Sequence, residues 1–252
     1  YQEQRSQADI AAEIGISPAS VNRMIREGHE RGLVDIRIRS PFDAEEGLSA
    51  TLRRLGGLDS AVAVPAVSTD PAIVLKAAAE AAATTLLEGL ADGMTIAVSG
   101  GVALCATIEA LAPPRAYDVR VVPATGGVQG KFRTDVNHVA VALAEKLGGK
   151  AYQLHAPIFA ANEAERAALL SVSTIRSVLD MARSADVALF GIGSVRDEHA
   201  TYLTLSDTAD RGAIERVGAE AELLAHLLDR GGRPCDHPSN RRLVALTLDE
   251  LA

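Results

Sequence analysis

The chain has 252 residues, 48% hydrophobic and 23% charged, which is the make-up of a globular protein and excludes a disordered or fibrous one. Aromatic residues are only 3% and Trp is absent, so the core must be built from Ala, Val, Leu and Ile. A formal net charge of −8 excludes a uniformly basic nucleic-acid coat, and no stretch is apolar for long enough to span a bilayer, so no membrane partner is expected.

The chain opens on Tyr1 rather than Met and stops at Leu251-Ala252 inside a helix-like run, so both ends read as cut. Gln7 to Arg31 reads as two short helices joined by a tight turn. Ile10, Ala11 and Ile14 recur at helical spacing, and Gly15 follows where a left-handed helix stop is expected. Ser17 caps a second helix with Pro18 at its first position, and Val21, Met24, Ile25 and Gly28 give that helix one apolar or small face. A small residue at Ala11, a glycine at the turn and a branched apolar residue at Val21 make the helix-turn-helix pattern. The second helix then presents Ser20, Asn22, Arg23 and Arg26, side chains that reach base edges and phosphates. An ordinary helical hairpin is the alternative. The next segment, Gly32 to Arg39, alternates apolar with polar residues and reads as the strand of a wing, with Arg37 and Arg39 on one face.

Residues 1–40 hold six Arg against six acidic residues, so the remainder carries the whole of the −8. A neutral reading head on an acidic body predicts weak DNA affinity for one copy, and hence a dimer or higher oligomer that multiplies phosphate contacts. Arg39-Ser40-Pro41-Phe42-Asp43 marks the boundary, giving a DNA-binding domain over 1–40 and an effector domain over 41–252.

Leu48, Leu52 and Leu55 suggest a short helix ending at Gly56-Gly57. From Ser60 the rhythm becomes strand, helix, strand. Ala61 to Ala66 is a short apolar run, and Asp70-Pro71 opens an Ala-rich helix through about Leu90. Met94 to Val98 is a strand, Ser99-Gly100-Gly101 leads into a helix to about Leu111, and Tyr117 to Pro123 is the next strand. Asp135 caps a helix through Leu147, Lys150 to His155 is a strand, Thr174 to Ser184 is helical, and Asp186 to Phe190 is a strand. Glu220 to Asp229 fits a strand or a helix. This succession implies an α/β, Rossmann-like, mostly parallel sheet covered on both faces.

Three strand ends carry glycine-rich loops: Ser99-Gly100-Gly101, Thr125-Gly126-Gly127 and Gly191-Ile192-Gly193-Ser194. Ligands of open parallel sheets bind beyond the carboxyl ends of the strands, and bare N–H groups entering a helix attract anions. Tight turns alone would also explain the glycines. Lys131 and Arg133 lie just past the second loop, where they either pair with a phosphate or carboxylate or stand solvated. Asn137 either hydrogen-bonds a sugar hydroxyl or caps its helix, with His138 beside it. A dinucleotide is disfavoured because Arg196 stands where a third glycine is needed, and no GxxxxGK[ST] loop exists. Cys235-Asp236-His237 looks metal-like, but adjacent residues rarely converge on one ion. No cofactor or metal is therefore expected. Glu222 and His226 are the one plausible acid–base pair. Cys105 and Cys235, far apart in sequence, argue against a disulfide framework and suit a reducing cytosol, so the expected location is cytoplasmic.

The runs SQADIAAEIGISPASVNRMI, PATGGVQG, LHAPIFA, ALFGIGS and LLDRGGRPCDHPSNRR together resemble the SorC family of bacterial sugar-responsive transcriptional regulators, notably its central glycolytic gene and deoxyribonucleoside regulators. The resemblance covers nearly the whole chain. It implies a winged helix-turn-helix, an effector domain related to sugar-phosphate isomerases of the glucosamine-phosphate deaminase type, a phosphorylated sugar as inducer and a tetrameric assembly. Carried over by position, it implies effector contacts at Ser99, Gly100, Gly101, Gly126, Gly127, Asn137, Gly191 and Gly193, and Lys131 and Glu222 are expected as effector-binding residues beside them. Two departures stand out: Val102 where the family commonly has Thr, and Ala221-Glu222 where it often has Gly-Asp. The rival reading is a sugar-phosphate isomerase or deaminase that carries a helical hairpin.

Overall fold

The computed structural model describes residues 6–31, 46–66, 68–130, 132–196 and 211–251. The chain divides into two compact units, 1–65 and 66–252. The wing strand expected over 32–39, the boundary expected at 40 and Lys131 lie outside the described residues.

In the first unit, α1 (Gln7–Ile14) and α2 (Pro18–Glu30) follow directly from their caps. Ser6 and Asp9 form a reciprocal capping box at the start of α1, and Gly15 ends it in the left-handed conformation at φ 71°. The Ser17 hydroxyl accepts from the Ser20 N–H at 3.2 Å, ahead of Pro18. Ala11 and Val21 are buried where the two helices meet, while Ile14 and Met24 are exposed. A third helix, α3 (Glu46–Gly56), completes this unit, and the Ser49 hydroxyl accepts from the Ala63 N–H at 2.9 Å. The apolar run 61–66 forms no strand.

The second unit is built on a parallel sheet. After α4 (Pro71–Gly89), capped by Asp70, come β1 (Thr95–Val98), α5 (Val102–Ala110), β2 (Arg120–Pro123), α6 (Val136–Leu147) and β3 (Lys150–Ala151). Two helices, α7 (Glu163–Ser171) and α8 (Ser173–Arg183), precede β4 (Val187–Leu189). The strand order is β3-β2-β1-β4, with Ile96 aligned to Val121 on one side and Val187 on the other.

Alternation along the strands divides the interior in two. Ile96, Val98 and Val121 face one cluster with Leu104, Leu143 and Leu147, contributed by α5 and α6. Ala97 and Val122 face the other, with Ile175, Leu179, Val244 and Leu246. Small and branched side chains dominate both clusters, as the shortage of aromatics requires.

The rest of the unit departs from the parallel pattern. β5 (Ile192–Ser194), a short α9 (Arg211–Arg216), β6 (Ala219–Leu223), β7 (His226–Asp229) and α10 (Pro238–Arg242) follow. β5, β6 and β7 form an antiparallel sheet. The stretch read as a glycine loop at 191–194 is therefore largely an edge strand, and Glu220 to Asp229 is a hairpin. Lys150 to His155 shortens to a two-residue strand, after which the Tyr152 N–H still donates to Val121 O at 2.8 Å. Among the described residues no helix is long and apolar enough to cross a membrane.

Leu143 is fully buried between α6 and the sheet. Leu143→Ala is expected to lower unfolding free energy by about 2–5 kcal/mol in urea titration. The exposed Ile73→Ala should change it by under about 0.5 kcal/mol.

Candidate functional site

A cavity of about 480 Å³ opens at the carboxyl ends of β1, β2 and β4, within the size range of small-molecule sites. Its floor is the turn from β1 into α5 and the residues after β2. Its walls include Pro71 and Leu75 of α4, Gly191 to Ser194, Glu222 on β6 and the turn residues Leu224 and Ala225.

The β1–α5 turn supplies the free donors. Gly101 stands at the N-cap of α5 with φ 129° and ψ 161°, a conformation that favours glycine, and no side chain caps the helix. The first-turn amides of Val102, Ala103 and Leu104 therefore have no intrahelical acceptor, and these three residues line the cavity. The helix dipole adds positive potential there. Gly100 is required for another reason. A Cβ on it would lie 2.4 Å from the Thr134 carbonyl oxygen, and the Gly101 N–H donates to that oxygen at 3.0 Å. Ser99 is buried, with its hydroxyl donating to the Gly100 carbonyl at 3.0 Å.

The second glycine pair is arranged differently. The Gly126 N–H donates to Val244 O at 2.7 Å and the Gly127 N–H to Ala156 O at 2.8 Å. These amides hold the chain together and are not offered to a ligand. A Cβ on Gly126 would sit 2.3 Å from Pro157 O, so backbone closeness explains this glycine. Gly127 does not line the cavity. The residue beside them does: Thr125 lines the cavity at 3% exposure. Sequence reasoning passed over it, although its place two residues beyond β2 is a usable signal.

Gly191 packs on α5, where an added Cβ would meet the Ala103 Cβ at 3.6 Å. Gly193 pairs with Glu222 across β5 and β6. A Cβ at Gly193 would come within 2.7 Å of Glu222 Cγ, so the absent side chain makes the seat in which Glu222 lies. β6 then turns into β7 through Leu224 at φ 48° and Ala225 at φ 63°. Both occupy the left-handed region where glycine or asparagine is usual, and Leu224 is held there by burial in the core.

Other predicted residues fall elsewhere. Asn137 and His138 line a second, more open cavity of about 820 Å³ beside β3. The Asn137 amide donates to Leu154 O at 3.2 Å and accepts from the Leu154 N–H at 2.7 Å, fixing the segment after β3. Asp135 caps α6 through the Asn137 N–H and also accepts from the Val128 N–H at 2.6 Å. Arg133 pairs on the surface with Glu109 at 3.3 Å. Cys235-Asp236-His237 serves α10: His237 Nδ1 accepts from the Ser239 N–H at 3.2 Å, and Asp236 pairs with Arg241. Among the described residues no group of three His, Cys, Asp or Glu side chains converges to hold a metal ion.

Strand pairing separates the supposed acid–base pair. Leu223 stands opposite His226 and Glu222 opposite Leu227, so Glu222 and His226 face opposite sides of the hairpin. Glu222 lines the cavity, whereas His226 is buried and its Nε2–H donates to Leu246 O at 2.8 Å. In the first unit Asn22, Arg23 and Arg26 lie on the exposed side of α2, and Ser20 is half-buried beside Ser17.

Burial pushes the His226 imidazole below its ordinary pKa, the Leu246 carbonyl opposing the shift in part. His237 shifts the same way through burial and its two neighbouring arginines. A lowered folded pKa means that stability is full above about pH 6.5, the ordinary value, and is lost as pH falls through the window beneath it. Urea midpoints should therefore drop between pH 7 and 5, and the slope should flatten in His226→Gln.

Residues 40–252 match the family described as "Putative sugar-binding domain". The deoxyribonucleoside regulator of Bacillus subtilis is 25% identical over 252 residues, which cover 100% of this chain and 80% of that protein. The sorbitol operon regulator of Klebsiella pneumoniae is 30% identical over 211 residues, covering 80% of this chain and 67% of that protein. The crystal structure of full-length SorC, the sorbitol operon regulator from Klebsiella pneumoniae, aligns with a TM-score of 0.79 at 25% identity, over 100% of this chain and 82% of that one.

Proposed function

The chain belongs to the SorC family of sugar-responsive transcriptional regulators, and from that premise we propose that its first unit reads operator DNA while its α/β unit binds a phosphorylated sugar that modulates the reading. The observation that carries this is the cavity at the strand ends, lined together by the uncapped first turn of α5 and by Thr125. Amides at the positive end of a helix suit a phosphate, and a threonine hydroxyl in the lining suits a sugar oxygen.

In the first unit α2 is the recognition helix of a helix-turn-helix. Asn22 and Arg23 approach base edges, Arg26 the phosphates, and Ser20 the start of the contact surface. The balanced charge of residues 1–40 gives one copy little non-specific affinity, so a homo-oligomer, dimer or tetramer, supplies the additional phosphate contacts. The effector acts by differential affinity: it stabilises the arrangement it fits better and changes the population that is competent for DNA. The working location is the cytoplasm, where both operator and sugar phosphate are found.

The enzymatic reading needs a base placed over the substrate. The separation of His226 from Glu222 by the hairpin removes the pair that reading relied on.

Fluorescence anisotropy with the DNA upstream of its own gene, at physiological salt, tests the first half. Arg23→Ala should weaken binding by about 1–3 kcal/mol, which is roughly 5- to 150-fold. Unchanged affinity would remove α2 from the interface. Incubation with sugar phosphates tests the second half: a shift in DNA affinity without isomerised product supports regulation, and turnover supports the enzyme.

A further inference from the structure

We propose that the free edge of the parallel sheet, Ala151 to His155, is a self-association surface: it pairs antiparallel with the same edge of a second copy, so that two four-stranded sheets join into one. This rests on the reading of the chain as a homo-oligomer and gives that reading a place on the molecule.

β3 is the outer strand in the order β3-β2-β1-β4, so one of its sides faces no other strand. A parallel ladder engages alternate residues of an outer strand. The Lys150 N–H donates to Val119 O and the Tyr152 N–H to Val121 O, both at 2.8 Å. β2 ends at Pro123, which has no N–H, and from there the Asn137 side chain takes over. Its amide donates to Leu154 O at 3.2 Å and accepts from the Leu154 N–H at 2.7 Å, as a neighbouring strand would. The edge therefore runs on past β3 to His155. The residues in between turn the other way. Ala151, Gln153 and His155 are exposed, and no hydrogen bond with a described residue takes up their backbone groups. Such edges are usually blunted by proline, by charge or by a bulge. From Ala151 to His155 there is no Pro, Lys, Arg, Asp or Glu, and Pro157 comes only where the edge ends.

The edge is its own complement, which is why the partner is a second copy. With Gln153 opposite Gln153 on a two-fold axis, Ala151 of each copy meets His155 of the other. All the outward residues then find partners, and each pair exchanges both of its hydrogen bonds. The side chains agree with this register. Gln153 and His155 line the open groove beside α6 together with His138 and Val141, so they lie on the α6 face of the sheet. There a carboxamide beside its own mate both donates and accepts, and the small Ala151 leaves room for the imidazole opposite. The helices agree as well. α6 packs on both β2 and β3. Strands lie about 4.8 Å apart, so α6 and its mate on the same face stand two strand spacings from each other, about 10 Å, the distance at which helices pack. The contact thus extends beyond the strand edge into a helix pair above it.

Sedimentation equilibrium and amide hydrogen exchange on the full chain, without DNA, test this. The Ala151, Gln153 and His155 amides should exchange slowly in the oligomer and roughly tenfold faster or more in the monomer reached on dilution. Gln153→Pro removes an N–H that has no partner within one copy. It should therefore weaken association by roughly tenfold or more while the circular dichroism of the monomer stays that of wild type. An oligomer whose edge amides exchange fast overturns the inference and leaves the homo-oligomer standing. A chain that stays monomeric at every concentration overturns both. Edge amides that remain slow in the monomer reveal an edge already covered within one copy, and they overturn the inference too. Exchange in the wild type decides the matter even where Gln153→Pro fails to fold.

Discussion

The structure turns on how backbone donors are shared out at one edge of the parallel sheet. Pairing of β1 with β2 and β4 brings three strand ends together, and each end must satisfy its N–H groups or leave them to a ligand. After β2 they are satisfied internally, by the 156–157 and 244–246 segments that cross the strand end. After β1 the turn at 132–134 takes the Gly101 N–H and presses on Gly100, and the next three amides are left open. The chemistry of the cavity is set by that difference more than by any single side chain.

Much of the scaffold is legible in the sequence because it is governed by short-range rules. Ser17-Pro18, Gly15, Asp70-Pro71 and Asp135 announce helix ends through hydrogen bonds within three or four residues, and the helices begin and stop where these residues say. The glycines are less legible because glycine serves two purposes with one signature. At Gly101 it permits an unusual backbone angle beside open amides; at Gly126 it permits a carbonyl to approach within a distance no Cβ would tolerate. Only the position of residues some thirty and a hundred places further on separates the two cases. For the same reason Gly193 reads as part of a loop, when its purpose is to accommodate a glutamate on the adjoining strand.

The antiparallel part is harder still to read. A two-residue hairpin turn is usually announced by Asn-Gly or a similar pair, and Leu224-Ala225 carries no such signal. Without it, the run from Glu220 to Asp229 has no decisive period, and the opposed directions of Glu222 and His226 are invisible. Once the strand register is known, the two side chains part company. Glu222 belongs to the cavity and His226 to the interior, where it holds the Leu246 carbonyl.

The left-handed turn at Leu224 and Ala225 has a consequence for the order in which the molecule comes together. A tight bend made from such residues has little reason to form in an isolated peptide, since its backbone cost is recovered only when Leu224 inserts beside Ala97, Val122 and Val244. Those partners come from β1, β2 and a segment near the end of the described chain, so the bend closes after they have assembled. The roof over the strand ends is thus a late arrival, and a half-folded chain has the floor of the cavity without that wall.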